Sequence, residues 1–423
     1  MKKINKTIII TEYQLLQMKD KTRYGYIEPK TFEELENFIL ENEEIAPYLK
    51  ITMKRPYGKV LQAQNYVGVI QTKSGLVIEI LPKIADVEEH QKEKEILIKM
   101  LKTLKKSPFK NLNIANLKES KMPLLEVFIS MFLEELSILI KKGIRSNYIP
   151  REDNLKFLKG KLIISEQIKK NFIHKERFFV EYEEFSADRV ENRIIKTTLE
   201  FLYKKSNSNM NKKRIREYLF VFDNINTSKN VKIDFSKIKL DRQMKHYELV
   251  LLWAKTFLLE NSFSPYKGNN VAFALLFDMN LLFESYVGNY LKREEKYQDY
   301  EVKLQDGKHS LAYENGVNKF QLKPDFVLES RSDENKKVII ADTKWKILDD
   351  SKTNSGVSQG DMYQLYAYGT KYKNIENMYL IYPKRNKLEE KEYHYFQNED
   401  RELMLKILFF DLENSEFLNG DLM

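Results

Sequence analysis

The sequence contains no cysteine among its 423 residues. This absence excludes disulfide bonds, zinc sites with cysteine ligands and a thiol nucleophile. It is typical of proteins that work in a reducing compartment, and we therefore expect a cytoplasmic protein. The histidines are far apart in the sequence and form no metal-binding motif: His90, His174, His246, His309 and His394.

Glycine, proline and long apolar runs are also scarce. With 14 glycines and 10 prolines, the chain is not expected to contain long disordered linkers, and its length suits two or three domains. The most apolar segment, residues 123–140, includes Glu126, Glu134 and Glu135, which favours a buried or interface helix over a membrane span. The N-terminus lacks the apolar region and cleavage site of a secretory signal. We therefore expect no membrane partner.

A phosphate-binding loop of the form GxxxxGK[ST] is absent from the sequence, so the chain is not itself a P-loop NTPase. The net charge is +9, and residues 141–177 are the most basic part, with 11 Lys and Arg against 4 Asp and Glu. A basic region of this kind fits a polyanion partner. A solvated, lysine-rich surface explains the charge equally well.

The chain is predicted to form three parts, of which residues 1–115 are the β-rich first. Residues 60–84 are rich in Val, Ile and Leu and contain the turn Lys73-Ser74-Gly75, which predicts a β-hairpin. Thr31 and Glu34 have the spacing of a capping box before a helix at 31–42.

The second predicted part, residues 116–260, is helical and basic. A helix at 185–203 is expected to be capped by Ser186, and Asn192 and Arg193 within it are expected to pack between domains. The polar segment 260–270 is the predicted boundary or mobile loop. In the third part, residues 261–423, the patterns predict a mixed α/β domain in this order: helix 275–294, strands within 300–345, helix 361–372 and strand 377–382.

Candidate catalytic residues lie in LKPDFVLESRSDENKKVIIADTKWK, residues 322–346. The two apolar runs predict an antiparallel hairpin, with its turn near Asp333 and Glu334, that places Asp325 opposite Asp342. Strand alternation puts Lys344 on the face of Asp342 and points Thr343 away. Two carboxylates and an ammonium group are thus expected at one end of a sheet.

This group of side chains suits a divalent cation, because two close carboxylates repel each other unless a cation lies between them. Carboxylate oxygens are hard ligands for Mg²⁺, or alternatively Mn²⁺, which retains waters and accepts a phosphate oxygen. Lys344 can position an attacking water or neutralise charge on a phosphoryl group. The alternative is a polar hairpin with a structural salt bridge.

Two predicted helices add polar groups to this region. Glu284 lies on an apolar helix stripe that consists of Phe277, Leu281, Gly288 and Leu291. A carboxylate that faces inward there needs a partner, which the metal site would supply. The alternative is a glutamate at the edge of the stripe. Gln364 and Tyr368 are four residues apart and share a helix face. They can hold a phosphate or a metal-bound water, or belong to a tyrosine-rich packing face.

The order of these elements is that of the PD-(D/E)xK nuclease core of the RecB-like type: acidic helix, Pro-Asp strand, Asp-x-Lys strand and Gln-x-x-x-Tyr helix. The chain resembles the McrC family, the nuclease subunits of the McrBC 5-methylcytosine-specific restriction system, over most of its length. The segments that carry the resemblance are NYVGVIQTKSGLVIEILPKI, YIPREDNLKFLKGKLIISEQIKKN, FSADRVENRIIKTTLEFLY, FDMNLLFESYV, LKPDFVL, IIADTKWK and DMYQLYAYGTKY. The last four are the most specific.

The resemblance implies catalytic positions at Asp325, Asp342 and Lys344, supported by Glu284 and Gln364. Together with Tyr368 these form the candidate catalytic set. The candidate metal ligands are Asp325, Asp342, Thr343 and Glu284.

The resemblance also implies a fold and a function. The fold would be α/β, with a restriction-endonuclease-like core at the C-terminal end. The function would be Mg²⁺-dependent cleavage of DNA together with a McrB-type AAA+ GTPase, which binds the GTP, receives the N-terminal part in its central pore and is stimulated by it. The alternatives are a non-catalytic adaptor that stimulates an NTPase, and a stand-alone defence or repair nuclease of the same fold.

Overall fold

The computed structural model describes residues 7–22, 25–41, 48–84, 90–104, 107–111, 122–239, 241–259, 271–331, 337–384, 391–395, 403–418 and 420–422. The described strands are β1 (Thr7–Thr11), β2 (Leu15–Leu16), β3 (Leu49–Lys54), β4 (Gly58–Ala63), β5 (Tyr66–Thr72), β6 (Val77–Leu81), β7 (Asn147–Leu155), β8 (Lys161–Leu162), β9 (Phe178–Ser186), β10 (Val271–Asp278), β11 (Tyr300–Leu304), β12 (Ser310–Glu314), β13 (Val317–Gln321), β14 (Phe326–Ser330), β15 (Val338–Thr343), β16 (Ile375–Pro383), β17 (Lys391–Tyr395), β18 (Leu403–Asp411) and β19 (Glu416–Leu418).

The described α-helices are α1 (Pro29–Glu41), α2 (His90–Leu101), α3 (Leu124–Lys142), α4 (Ile164–Lys170), α5 (Val190–Lys205), α6 (Asn209–Val221), α7 (Val231–Lys237), α8 (Glu248–Leu258), α9 (Met279–Arg293) and α10 (Gln359–Lys371). The mixed α/β content agrees with the predicted fold class. No described helix is long and apolar enough to cross a membrane.

The chain divides into two compact units, Met1–Leu124 with Tyr266–Met423, and Leu125–Pro265. The first unit therefore contains residues from both ends of the chain. The strand β10, which lies in the third predicted part, pairs with β5 of the first part. The division of the chain into three independent domains stays a prediction. The predicted boundary at 260–270 lies outside the described residues.

An N-terminal sheet in the first unit has the strand order β1-β6-β5-β10. β5 and β6 form the predicted antiparallel hairpin around Lys73–Gly75, and β1 runs parallel to β6. A second sheet, β2-β4-β3, and helix α1 contribute to the same apolar core. This core includes Leu276 of β10, so the C-terminal half of the chain completes it.

The predicted capping box at Thr31 is wrong, because α1 begins at Pro29 and Thr31 lies inside the helix. Proline at the first helical position is favourable, since its missing N–H has no partner there in any case. Glu34 instead accepts hydrogen bonds from the backbone N–H and the hydroxyl of Ser74, at 3.1 and 2.9 Å. The hydrogen bonds between Glu34 and Ser74 therefore stabilise the turn of the β5–β6 hairpin.

The C-terminal sheet of the first unit has the order β11-β14-β15-β16-β18-β17, with β19 paired to β18. β15, β16 and β18 are parallel, and α10 makes the connection from β15 to β16. Such a crossover covers one face of the sheet, and Leu365 and Tyr368 of α10 are buried against it. The loop after β15 and the start of α10 are thereby placed near the same sheet edge.

The prediction of a helix from residue 275 is wrong at its start, because residues up to Asp278 belong to β10 and α9 begins at Met279. Asp278 caps this helix by accepting a hydrogen bond from the backbone N–H of Asn280. The proposed apolar stripe is accordingly only half right. Gly288 and Leu291 are buried, whereas Phe277 lies in the strand and Leu281 is exposed.

The second unit contains most of α3, the helices α4 to α8 and the sheet β7-β9-β8. Glu126 of α3 is buried, as predicted for this apolar helix. Hydrogen bonds from the Ser206 hydroxyl and the Asn211 side chain, both at 2.8 Å, satisfy its carboxylate. A buried carboxylate needs such donors, so the glutamate serves the structure of this unit.

The predicted cap of α5 is wrong, because Ser186 ends β9 and the helix begins at Val190. The hydrogen bonds of Asn192 and Arg193 lie within the second unit. Asn192 is buried within the second unit, where it donates to the carbonyl of Arg145, and Arg193 forms a bidentate ion pair with Asp188.

Candidate active site

The candidate site is built on the hairpin formed by β14 and β15. Its observed register pairs Phe326 with Ala341 and Val327 with Ile340. Continued by one residue, this register sets Asp325 opposite Asp342, as the sequence predicts. Both strands are almost wholly buried. Their apolar runs of Val, Ile and Leu are typical of strands that are covered on both faces of a sheet. The predicted turn between them, residues 332–336, lies outside the described residues.

Thr343 fixes the carboxylate of Asp325. Its backbone N–H and its hydroxyl both donate to Oδ2 of Asp325, at 2.7 and 2.6 Å. Strand alternation predicts that Thr343 points away from Asp342. It reaches Asp325 all the same, because Asp325 lies just before β14 and its side chain extends to the next residue of β15. The backbone N–H of Asp325 in turn donates to Oδ1 of Asp342, at 3.4 Å.

Lys344 joins the two strands to α10. Its Nζ lies 2.6 Å from Oδ2 of Asp342 and donates to Oε1 of Gln364 at 2.8 Å. Oδ1 of Asp361 lies 3.9 Å from the same nitrogen. The ammonium group is therefore held in place by one close carboxylate, one neutral amide oxygen and one more distant carboxylate.

Gln364 and Tyr368 extend this chain of hydrogen bonds. The side-chain N–H of Gln364 donates to the Tyr368 hydroxyl at 2.7 Å, and that hydroxyl donates to the carbonyl of Lys323 at 3.2 Å. Lys323 lies two residues before Asp325. The helix and the start of β14 are thus tied together, and the amide of Gln364 is oriented with its oxygen toward Lys344.

Glu284 is linked to Asp325 through Gln305, and its charge affects the pKa of Asp325. Its carboxylate accepts a hydrogen bond from the side chain of Gln305 at 2.9 Å, and the backbone N–H of Gln305 donates to the carbonyl of Asp325 at 3.0 Å. Glu284 is partly buried and its charge acts on Asp325. Its partial burial fits the alternative position at the edge of the apolar stripe, and its role as a metal ligand stays a prediction.

The acidic groups of the site repel one another in a dry environment. Burial, followed by the charges of Asp342 and Glu284, raises the pKa of Asp325 to about 7. Burial also raises the pKa of Asp342, although the Lys344 ammonium opposes that shift. Burial lowers the pKa of Lys344, but the carboxylates of Asp342, Asp361 and Asp325 outweigh it, and the net shift is upward. Lys344 therefore stays protonated at neutral pH.

The donor set is compatible with a magnesium ion held by two carboxylates. Among the described residues, no group of three or more His, Asp or Glu side chains is arranged as a complete protein cage for a metal. Mg²⁺ does not need one, since it usually takes one or two carboxylates and completes its shell with water and substrate phosphate. Burial is the largest cause of the raised pKa values of Asp325 and Asp342, and the charge of Asp342 adds to it at Asp325. A divalent cation at this place would favour the charged form of both carboxylates.

The sequence interpretation missed Asp361 and Gln305. Asp361 lies three residues before Gln364 on the same helix, and that spacing is a signal by which it could have been found. Gln305 carries no such signal, because it follows the partly buried edge strand β11 and contacts Glu284 only in the folded chain.

Comparison with known proteins gives the family. The family model described as "McrBC 5-methylcytosine restriction system component" matches residues 61–383, about three quarters of the chain. The chain belongs to this family. The match includes every residue of the candidate site, from Glu284 to Tyr368. No curated protein sequence gives a significant match.

Solved structures of the same system share the fold. A chain from the half-complex of Thermococcus gammatolerans McrB AAA+ hexamers with bound McrC has a TM-score of 0.69 and 21% identity, and the match covers 96% of this chain and 94% of that one. A chain from the cryo-EM structure of the Thermococcus gammatolerans McrBC complex has a TM-score of 0.50 and 22% identity, and the match covers 68% of this chain and 87% of that one. At these identities the likeness concerns the fold alone.

Proposed function

We propose that the chain is the McrC-type subunit of a McrBC system, a Mg²⁺-dependent DNA endonuclease that cuts when assembled with an AAA+ GTPase. The observation that carries this proposal is the meeting of Asp325, Asp342 and Lys344 where β14 begins and β15 ends. Charged groups are costly in a buried sheet unless they have a task there. The family membership supports the same reading.

Each residue has a distinct role in this proposal. Asp325 and Asp342 hold the metal, and Thr343 orients Asp325 through its two hydrogen bonds. When bound, the metal supplies Lewis acidity and a more acidic water. Lys344, protonated and held by Gln364, faces the negative charge that develops on the phosphoryl group during phosphodiester hydrolysis.

We propose the partner from the proteins that are present in the similar solved structures. They contain McrB AAA+ hexamers with bound McrC, whereas this chain has no phosphate-binding loop of its own. We assign GTP binding and hydrolysis to an AAA+ partner, and phosphodiester cleavage of double-stranded DNA to this chain. Mn²⁺ is expected to replace Mg²⁺, because both are hard cations that accept carboxylate and phosphate oxygens.

Two surfaces are candidates for docking that partner. The resemblance points to residues 1–115. The second unit offers another surface, because residues 147–186 expose an unusual number of large apolar side chains: Tyr148, Phe157, Leu158, Ile164, Ile168, Phe172, Ile173 and Phe185. Exposed apolar groups at this density mark interaction surfaces in soluble proteins. We therefore add this part of the second unit as an alternative docking site.

The test is a cleavage assay of the purified chain with and without its AAA+ partner, on methylated and unmethylated plasmid. The proposal expects cleavage only when the partner, GTP and Mg²⁺ are all present, and none in EDTA. Stimulated GTP hydrolysis without any cleavage would support the adaptor instead. Efficient cleavage by the chain alone would support the stand-alone nuclease.

A further inference from the structure

A buried carboxylate of the N-terminal sheet contacts the residue that follows the candidate catalytic lysine. Glu12 lies directly after β1 and is only 1% exposed. The indole Nε1 of Trp345 donates to its two carboxylate oxygens, Oε1 at 3.0 Å and Oε2 at 2.9 Å. The backbone N–H of Lys83, just beyond β6, donates to Oε2 at 3.1 Å. One carboxylate thus joins the C-terminal ends of two parallel strands to the chain after β15.

Trp345 is held on other sides as well. Its ring makes an edge contact with Phe283 of α9, with ring centroids 5.4 Å apart, and the residue is 9% exposed. The preceding residue, Lys344, donates its backbone N–H to the carbonyl of Ile381 in β16, at 2.9 Å. The backbone at Lys344 is therefore fixed by β16 on one side and by the anchored indole immediately after it.

Simple packing does not explain this choice of residue. An apolar side chain at position 12 would fill the space without the cost of desolvating a carboxyl group. Burial raises the pKa of Glu12 to about 8, a measure of that cost. A buried indole N–H, however, needs an acceptor, and a side chain with two oxygens can serve it and the Lys83 N–H together.

We propose that Glu12 is a positioning residue of the nuclease site, which holds the indole of Trp345 and thereby fixes the backbone that presents Lys344. The inference rests on the proposed nuclease function. It makes the N-terminal sheet a part of the catalytic framework, in addition to any role of that sheet in docking a partner. A change at this contact should reduce turnover, because small displacements of a catalytic group have large effects on rate.

Three variants separate positioning from general stability. Trp345→Phe keeps an aromatic ring but removes the indole N–H donor together with part of the ring volume. Glu12→Leu removes the acceptor, whereas Glu12→Gln keeps an oxygen at the Oε2 position, which accepts both Trp345 and Lys83. The control is Glu79→Gln, because Glu79 is also a buried carboxylate of the N-terminal sheet but pairs with Lys94 in α2, 2.6 Å away.

In the assembled complex with partner, GTP and Mg²⁺, Trp345→Phe and Glu12→Leu are expected to lower kcat for cleavage about tenfold to a hundredfold. The KM for DNA and the stimulation of GTP hydrolysis should stay at the parental values. Glu12→Gln should keep most of the parental kcat. The control Glu79→Gln is expected to lose thermal stability but to keep kcat.

A spectroscopic measurement follows the contact without any need for catalysis. The chain has only two tryptophans, and Trp253 lies in the second unit, stacked on Phe257. In a Trp253→Phe background the emission therefore comes from Trp345 alone. Glu12→Leu should shift this emission and increase its quenching by acrylamide, while Glu12→Gln should leave both nearly unchanged.

The outcomes are distinct for the two claims. Parental kcat in both Trp345→Phe and Glu12→Leu, or a loss in the Glu79→Gln control equal to theirs, would overturn the positioning role and leave the nuclease proposal standing. Unchanged Trp345 emission in Glu12→Leu would also overturn it. Absence of cleavage by the parent complex would overturn both claims.

Discussion

Thr343 donates its backbone N–H and its hydroxyl to the same carboxylate oxygen of Asp325. Two hydrogen bonds to one oxygen restrict the orientation of the Asp325 carboxylate. In the proposed nuclease, Thr343 would orient the metal ligand Asp325. The role of Thr343 itself as a metal ligand stays a prediction.

Thr343→Val tests this orienting role, because valine keeps the shape and the backbone N–H but lacks the hydroxyl. The Mg²⁺ concentration for half-maximal cleavage should rise about tenfold, the value of one hydrogen bond to a charged group. Thr343→Ser keeps the hydroxyl and should remain close to the parent. Equal Mg²⁺ dependence in all three proteins would refute the role.

The pKa of Glu12 predicts how stability depends on pH. Burial raises this pKa from 4.5 to about 8, so between these values the folded protein holds a proton that the unfolded chain has released. The free energy of unfolding should therefore fall as the pH rises through this window, by at most about 1.4 kcal/mol per pH unit from this group.

Glu12→Gln removes that proton equilibrium. In urea denaturation, the variant should gain stability relative to the parent as the pH is raised from about 5 to about 8. Glu79→Gln keeps Glu12 and should retain the parental decline. A difference between Glu12→Gln and the parent that does not change with pH would contradict the raised pKa.

Much of the site was predictable from sequence because it depends on local strand geometry. The alternation and turn of residues 325–342 determine the register that brings Asp325 to Asp342, and the helical spacing of Gln364 and Tyr368 puts them on one face. The contacts of Glu12 with Trp345 and of Gln305 with Glu284 were not predictable. They join residues that are distant in sequence and carry no shared pattern.

The errors at helix starts also have physical causes. Residues 271–278 are apolar throughout, and such a run does not distinguish a buried strand from a buried helix. The partner that decides between them is β5, which is far away in the sequence. At Thr31 the proline two residues earlier already begins the helix, so the capping pattern was outweighed by a stronger local signal.

Gln364→Ala tests the support of Lys344 by α10. Loss of the amide removes the neutral acceptor of Nζ, and we expect kcat to fall about tenfold while the chain remains folded. Gln359→Ala is the matched control, since Gln359 is an exposed residue of the same helix that contacts Tyr363. A loss of the same size in both variants would mean that the effect comes from the helix and not from the site.

Deletion of residues 1–115 should disrupt the fold of the first unit in addition to removing a candidate docking surface. It removes β5, the strand to which β10 is paired, and it removes Glu12 from Trp345. We expect the truncated chain to aggregate or to bind hydrophobic dyes, because β10 and its buried side chains lose their neighbours. A soluble, cooperatively unfolding fragment that still cleaves DNA would contradict the interdependence of the two sheets.

The most direct test of the nuclease proposal compares two Asp–Lys pairs of the same sheet in which the aspartate is buried. Asp342 pairs with Lys344 at the candidate site, and Asp411 at the end of β18 pairs with Lys384, 2.8 Å away. With partner, GTP, Mg²⁺ and methylated DNA, Asp342→Asn and Lys344→Ala should each lower the cleavage rate more than about a hundredfold, while the proteins stay folded and keep stimulating GTP hydrolysis. Asp411→Asn, scored at equal folded concentration, should cleave at the parental rate. Parental cleavage by Asp342→Asn would contradict the assignment of the active site.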